Sequence, residues 1–330
     1  MRGSHTQFLD ILFKRTMHKK YTIEVPIYSS PLKHLIKLNR SKDINIIIYG
    51  GAPDSPLNGG RLNYSLDGLF IWNRIFFRLT RSQLRGATKK FYQILSKANE
   101  NGIQFFLAFT NMFVSPDELN EENLRPVKWL VESYKKHGVK NGIIINNEIL
   151  EGFIRKSYGD NLFYVSSCTK YVSPHKLLSP SETLKMYLKD SSEYDFVVLT
   201  PQDSRRENLI KDVVRQAKCG VIAICNSYCA NRCNSYYHYE YTSKMNKKSI
   251  NCIGNISTFL GAFNFTIKRA LNCSAFLQPF RAGNIENIAE MQLNSGITNF
   301  KLGRGFGDKF LDHLVSLIEE SEAHTDAAHG

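Results

Sequence analysis

Eight short apolar runs, each followed sooner or later by a stretch of helical spacing, constrain this chain's fold more than any other feature. The runs cover residues 22–27, 44–49, 103–109, 142–145, 162–165, 195–199, 220–225 and 299–302. They are rich in β-branched residues and read as strands covered on both sides. Covering both sides needs helices, and amphipathic segments stand at 31–39, 81–99, 116–137, 148–158, 180–189, 204–217, 284–294 and 309–320. Two of them open on strong start signals: Ser115-Pro116 ahead of Asp117 and Glu118, and Ser179-Pro180-Ser181-Glu182. Strands that alternate with helices in this way predict the α/β class, as a single (β/α)8 TIM-type barrel over residues 21–322. Such a barrel carries its site at the C-terminal ends of the strands.

Two connections are too long for ordinary barrel loops, 50–80 after strand 2 and 226–297 after strand 7, so long insertions are expected there. The first holds Gly50-Gly51 and Gly59-Gly60-Arg61, backbone that can approach a ligand closely, yet it matches neither a dinucleotide fingerprint nor a Walker loop. Residues 1–20 are expected to be a partly disordered leader. Residues 323–330, which lack apolar periodicity, are expected to be a flexible tail.

A net charge of +13 suits a polyanion or an anionic small molecule, so RNA and small anions are the candidate partners, together with a protein partner or electron donor. No short block of like charge stands out, and basic side chains spread over helix surfaces give the same total. No apolar run approaches the roughly 20 residues of a membrane helix. Seven cysteines, an odd number, argue against a disulfide framework and for a reducing, cytoplasmic setting.

The cysteines are concentrated where the seventh run ends. In the stretch GVIAICNSYCANRCNSYYHY, Cys225, Cys229 and Cys233 are spaced by four and His238 follows. They can be separate reduced thiols, a structural zinc site of the Cys3His type, or part of an iron–sulfur cluster. A four-iron, four-sulfur (4Fe-4S) cluster needs a fourth thiolate. Cys273 is the first candidate and Cys252 the alternative, with Cys168 also available; Cys219 belongs to the wrong end of its strand. His238 is a candidate proton carrier.

The other strand ends carry Tyr49, Asn111, Asn146-Asn147-Glu148, Ser166-Ser167-Cys168, Thr200-Pro201-Gln202-Asp203, Asn226 and Gly303-Arg304. This is a polar rim over an apolar barrel, although any single Asn or Ser there also serves as a helix cap. Glu148 and Arg304 are read as catalytic candidates. Arg61, Arg205 and Arg206, with Arg304, are expected to aim a positive field into the mouth and bind an anionic substrate, beside Asn226. Neither HExxH nor GxSxG is present, so hydrolysis has no direct support.

The order of these pieces resembles peptidase family U-thirty-two, the collagenase-like peptidases, with its oxygen-independent hydroxylase relatives. The matching residues are the opening from Thr22 to Gly50, the Gly59-Gly60-Arg61 turn, LTPQDSRRENL from Leu199, and Asn226, Cys229, Cys233 and His238-Tyr239. FLQPF from Phe276, Gly296-Ile297 and Phe300 to Arg304 complete the series. The resemblance implies a barrel with a 4Fe-4S cluster near its mouth, held by Cys229 and Cys233. Cys225 departs from it, because the family more often has an apolar residue there. The function it implies is oxygen-independent hydroxylation of an organic or RNA substrate. A peptidase and a metal-bearing accessory subunit are the alternatives.

Overall fold

The structure, a computed structural model, describes residues 20–41, 43–59, 81–172, 178–226, 236, 239–240, 243–244, 283–303 and 308–329. Eight parallel strands close into a barrel in strict chain order. They are β1 (Tyr21–Pro26), β2 (Ile44–Gly50), β3 (Gln104–Phe109), β4 (Gly142–Ile145), β5 (Phe163–Ser166), β6 (Phe196–Val198), β7 (Gly220–Ile224) and β8 (Asn299–Lys301). Outside them lie α1 (Leu32–Asn39), α2 (Arg81–Glu100), α3 (Glu121–His137), α4 (Glu148–Tyr158), α5 (Pro180–Asp190), α6 (Glu207–Gln216), α7 (Gly283–Asn294) and α8 (Asp308–His329). The TIM-type barrel expected from the apolar runs is the observed architecture.

Two of the expected helices begin later than their periodicity suggests. The segment at 116–137 splits into a 3-10 turn, Pro116–Glu118, and α3, because two start signals follow each other: Ser115 with Glu118, then Asn120, whose side chain accepts from the Asn123 N–H. The segment at 204–217 likewise yields a 3-10 turn, Asp203–Arg205, before α6. At the chain's end α8 runs to His329, through residues expected to form a loose tail. Glu322 ties it down, accepting from Lys20 Nζ at 2.5 Å and Tyr21 Oη at 2.7 Å.

Strand parity sorts the core into two layers. Ile47, Tyr49, Phe106, Ile144, Val165, Val198 and Ile222 fill the barrel, with Phe163, Phe196, Ala108, Cys168 and Ile224 against them. Their neighbours along each strand, such as Ile46, Ile48, Phe105, Leu107, Val197, Val221 and Ala223, face the helices. The rings of Phe106, Phe163 and Phe196 lie 5.8–6.4 Å apart, between centroids, toward the N-terminal end. They fit because β4 and β7 begin with glycine: a Cβ on Gly142 would come within 2.6 Å of Phe106, and one on Gly220 within 2.5 Å of Phe196.

The outer layer holds a buried tyrosine–carboxylate network. Tyr171 Oη and Ser166 Oγ both donate to Asp190, at 2.8 and 2.7 Å, and Tyr187 Oη donates to Asp203 at 2.9 Å. Burial and the adjacent carboxylates push the Tyr171 and Tyr187 phenols well above their usual range. At the N-terminal end burial raises Tyr164 to about 12 and the Cys219 thiol to about 11.

Two outcomes follow. Phe106→Ala should cost about 3–5 kcal/mol in urea unfolding, since it leaves a hole that rigid strands cannot close. The raised acids make stability constant up to the pH at which the unfolded chain starts to lose these protons, about 9 for the thiol and about 10 for the phenols. Above that the unfolded chain releases protons that the folded one keeps, so stability should fall steadily toward pH 12, as followed by the urea midpoint.

Candidate active site at the barrel mouth

The apolar filling is interrupted where the first and last strands meet. Glu24 of β1 and Lys301 of β8 stand side by side in the register, and their side chains form an ion pair inside the barrel, 1% and 10% exposed. Lys301 Nζ also sits 3.6 Å from the ring centroid of Tyr49, whose hydroxyl donates to the Leu302 carbonyl at 2.5 Å. One Glu24 oxygen, Oε2, accepts from the ammonium; the other, Oε1, is buried with no hydrogen-bond partner among the described residues.

Toward the mouth from Lys301 the next inward position on β8's path is Gly303, which has no side chain to cover it. Its N–H donates to Asn226 Oδ1, and a Cβ there would meet that oxygen at 2.9 Å. Asn226 is 1% exposed, and its Nδ2 has no partner among the described residues. Across the barrel Asn146 Nδ2 donates to the Thr110 carbonyl at 3.1 Å.

Two insertions border this opening. After β2, Asn111 Nδ2 holds the Pro56 and Asn58 carbonyls at 2.9 and 3.2 Å, and Gly59 lies so close to Thr110 that a Cβ would strike its carbonyl. That contact explains the first glycine of the Gly59-Gly60-Arg61 turn. From the insertion after β7, Ser243 gives its carbonyl to Asn111 at 3.1 Å, and Tyr239 Oη lies 3.8 Å from Cys168 Sγ. Described residues of this insertion therefore reach the ends of β3 and β5, across the mouth from their own strand.

The site residues expected from sequence divide three ways. Arg61, Cys229, Cys233, His238, Cys252, Cys273 and Arg304 lie outside the described residues. Asn226 is at the mouth. The remaining four are drawn elsewhere: Glu148 is exposed in the first turn of α4, where a carboxylate favours the positive helix end, and Arg205 is partly buried in the turn Asp203–Arg205. Arg206 pairs with Asp203 at 3.2 Å. Cys225 is the fourth residue drawn away from the mouth. It follows Val221 and Ala223 in parity, so it faces the helices, fully buried in the outer core, with its thiol directed to the Lys301 carbonyl at 3.5 Å. Cys225 thus does not fit a cluster at the mouth. Among the described residues no group of three His, Cys, Asp or Glu side chains is placed to hold a metal.

Sequence reasoning missed Glu24 and Lys301. The available signal was a lone charge within a run otherwise fit for burial on both faces, at the parity that points inward.

No family model matches this chain, and no curated protein does. The solved structure of the U32 peptidase Mk0906 is similar at a TM-score of 0.44 and 10% identity, covering 88% of this chain and 94% of that one. No residue role follows from a likeness of this size.

Truncating one member of the buried pair leaves an uncompensated charge, so Glu24→Ala or Lys301→Ala should each cost about 3–5 kcal/mol in denaturant unfolding. The double change to Glu24→Leu with Lys301→Met should cost far less than their sum. Iodoacetamide mapping of chelator-treated native protein should leave Cys225 unmodified until denaturant is added. Modification in the native state would restore it as a mouth residue.

Proposed function

We propose that this chain is an enzyme that modifies a small polar organic substrate in the mouth of its barrel, with Lys301 and Glu24 handling the substrate's charge and proton. The observation that carries this reading is the ion pair set beside the apolar side chains that fill the barrel. An interior filled only for stability gains little from such a pair, because desolvating two charges offsets most of their attraction. Groups of this kind at the C-terminal end of barrel strands are the usual material of a site. Lys301 can stabilise negative charge that develops on a substrate oxygen, and Glu24 can accept or return a proton.

The pair is neutral as a unit, and Arg206 is already matched by Asp203. The described mouth therefore favours an uncharged polar substrate over the anion expected from the arginines. RNA binding and a protein partner rest on the overall charge of +13 alone.

The iron–sulfur reading keeps one support. Tyr239 and Ser243 bring part of the β7 insertion over the mouth, and Cys229, Cys233, Cys252 and Cys273 belong to that insertion in sequence. A cluster held there would supply electrons for oxygen-independent hydroxylation, and zinc would supply a Lewis acid. A four-thiolate set that includes Cys225 does not fit, because that thiol faces the helices.

A panel of small carbonyl, hydroxyl and amide compounds, screened by thermal unfolding against wild type and Lys301→Met, tests the proposal. A true ligand at about 100 times its Kd adds roughly 2.7 kcal/mol to the wild type. That gain should vanish in Lys301→Met. Equal stabilisation of both proteins by every active compound would place binding elsewhere and reject the mouth.

A further inference from the structure

We infer that Lys301 is a nucleophile that captures a short hydroxy-aldehyde or hydroxy-ketone as an iminium ion, a step that rests on the mouth being the active site. Three features converge on this class of substrate. Lys301 keeps a tenth of its side chain exposed, and Asn226 packs against Gly303, two residues farther toward the mouth. Glu24 Oε1 is a buried acceptor in want of a donor, which a substrate hydroxyl provides. Asn226 Nδ2 is a buried donor in want of an acceptor, which the same hydroxyl's oxygen or the carbonyl oxygen provides.

The charge arithmetic favours an imine over other amine chemistry. The resting ammonium first gives a proton to Glu24 Oε2, to which it is already hydrogen-bonded. The free amine attacks the carbonyl carbon, forming the C–N bond while the carbonyl π electrons move to oxygen. That oxygen takes up one proton from the attacking nitrogen and one from Glu24 and leaves as water when the C–O bond breaks. In total one ammonium and one carbonyl give one iminium and one water, with no oxidant or reductant. The iminium keeps the positive charge, so Glu24 regains its counter-ion and is left unpaired at neither end of the step. Acylation of Lys301 would instead neutralise it and strand a buried carboxylate, at the cost that accompanies breaking such a pair. The Tyr49 ring, 3.6 Å from the nitrogen in the resting state, stabilises a cation of either kind.

The test uses the whole chain with glycolaldehyde and dihydroxyacetone as probes, each with cyanoborohydride to fix an imine, followed by peptide mapping. Lys211, 52% exposed and paired with Glu207, is the internal reference for ordinary surface reaction. At limiting probe Lys301 should be the most heavily modified lysine, well ahead of Lys211. In Glu24→Gln, which keeps shape but cannot accept the proton, labelling of Lys301 should slow by about 10²-fold while Lys211 is unchanged. Labelling of Lys301 no faster than Lys211 in the wild type overturns the inference without reliance on any variant. If the same compounds still stabilise the wild type and not Lys301→Met, the mouth site stands and only the covalent step falls; if they stabilise neither, both fall.

Discussion

A closed barrel has no sheet edge, so its interior must be filled completely from within, and the way this one is filled decides everything built on it. Three phenylalanines occupy the N-terminal half, admitted by the glycines that open β4 and β7. Aliphatic side chains fill the middle. At the seam between β8 and β1 two charges face each other in register. A packed floor beneath them means that the polar groups have one direction in which to open, and it is the end where the strands' loops gather. The position of the candidate site is thus a consequence of how the lower half is packed.

Much of this was legible in the residues. Runs such as INIIIYG and GIII declare burial on both faces, and that property demands a helix layer and hence a barrel. The helix ends were read less well. Where Asn120 follows a complete Ser115–Glu118 box, periodicity cannot tell one long helix from a turn and a helix, because both present the same apolar stripe. A hold of another kind is invisible locally: Glu322 of α8 accepts from Lys20 and Tyr21, about 300 residues away, and no local pattern reports that.

The site was the least legible part. Spacing drew attention to the cysteines, yet spacing says nothing of parity, and Cys225 lies one residue on the wrong side of a pleat: Ile224 and Asn226 look to the inside while the thiol looks out. The opposite error hid Lys301. In FKLGR it reads as one basic residue among 43 Lys and Arg, and only the pairing of β8 with β1 brings it to Glu24. Charge inside a strand that must be buried on both faces is a sharper signal than charge on a rim, since rim residues have solvent and helix ends to satisfy them.

The separation of that pair along the chain has a consequence for how the molecule comes into being. Glu24 and Lys301 are 277 residues apart, so during synthesis the carboxylate emerges long before its partner exists. Seven strands can associate in order as they leave the ribosome, but they form an open sheet with β1 and β7 as bare edges until the last strand arrives. Burying the acidic side chain of β1 before its counter-charge exists would carry the cost of an unpaired charge. Arrival of the lysine removes that cost and completes the ring in the same event. The last strand thus brings both the missing hydrogen-bonding edge and the counter-charge to the ring.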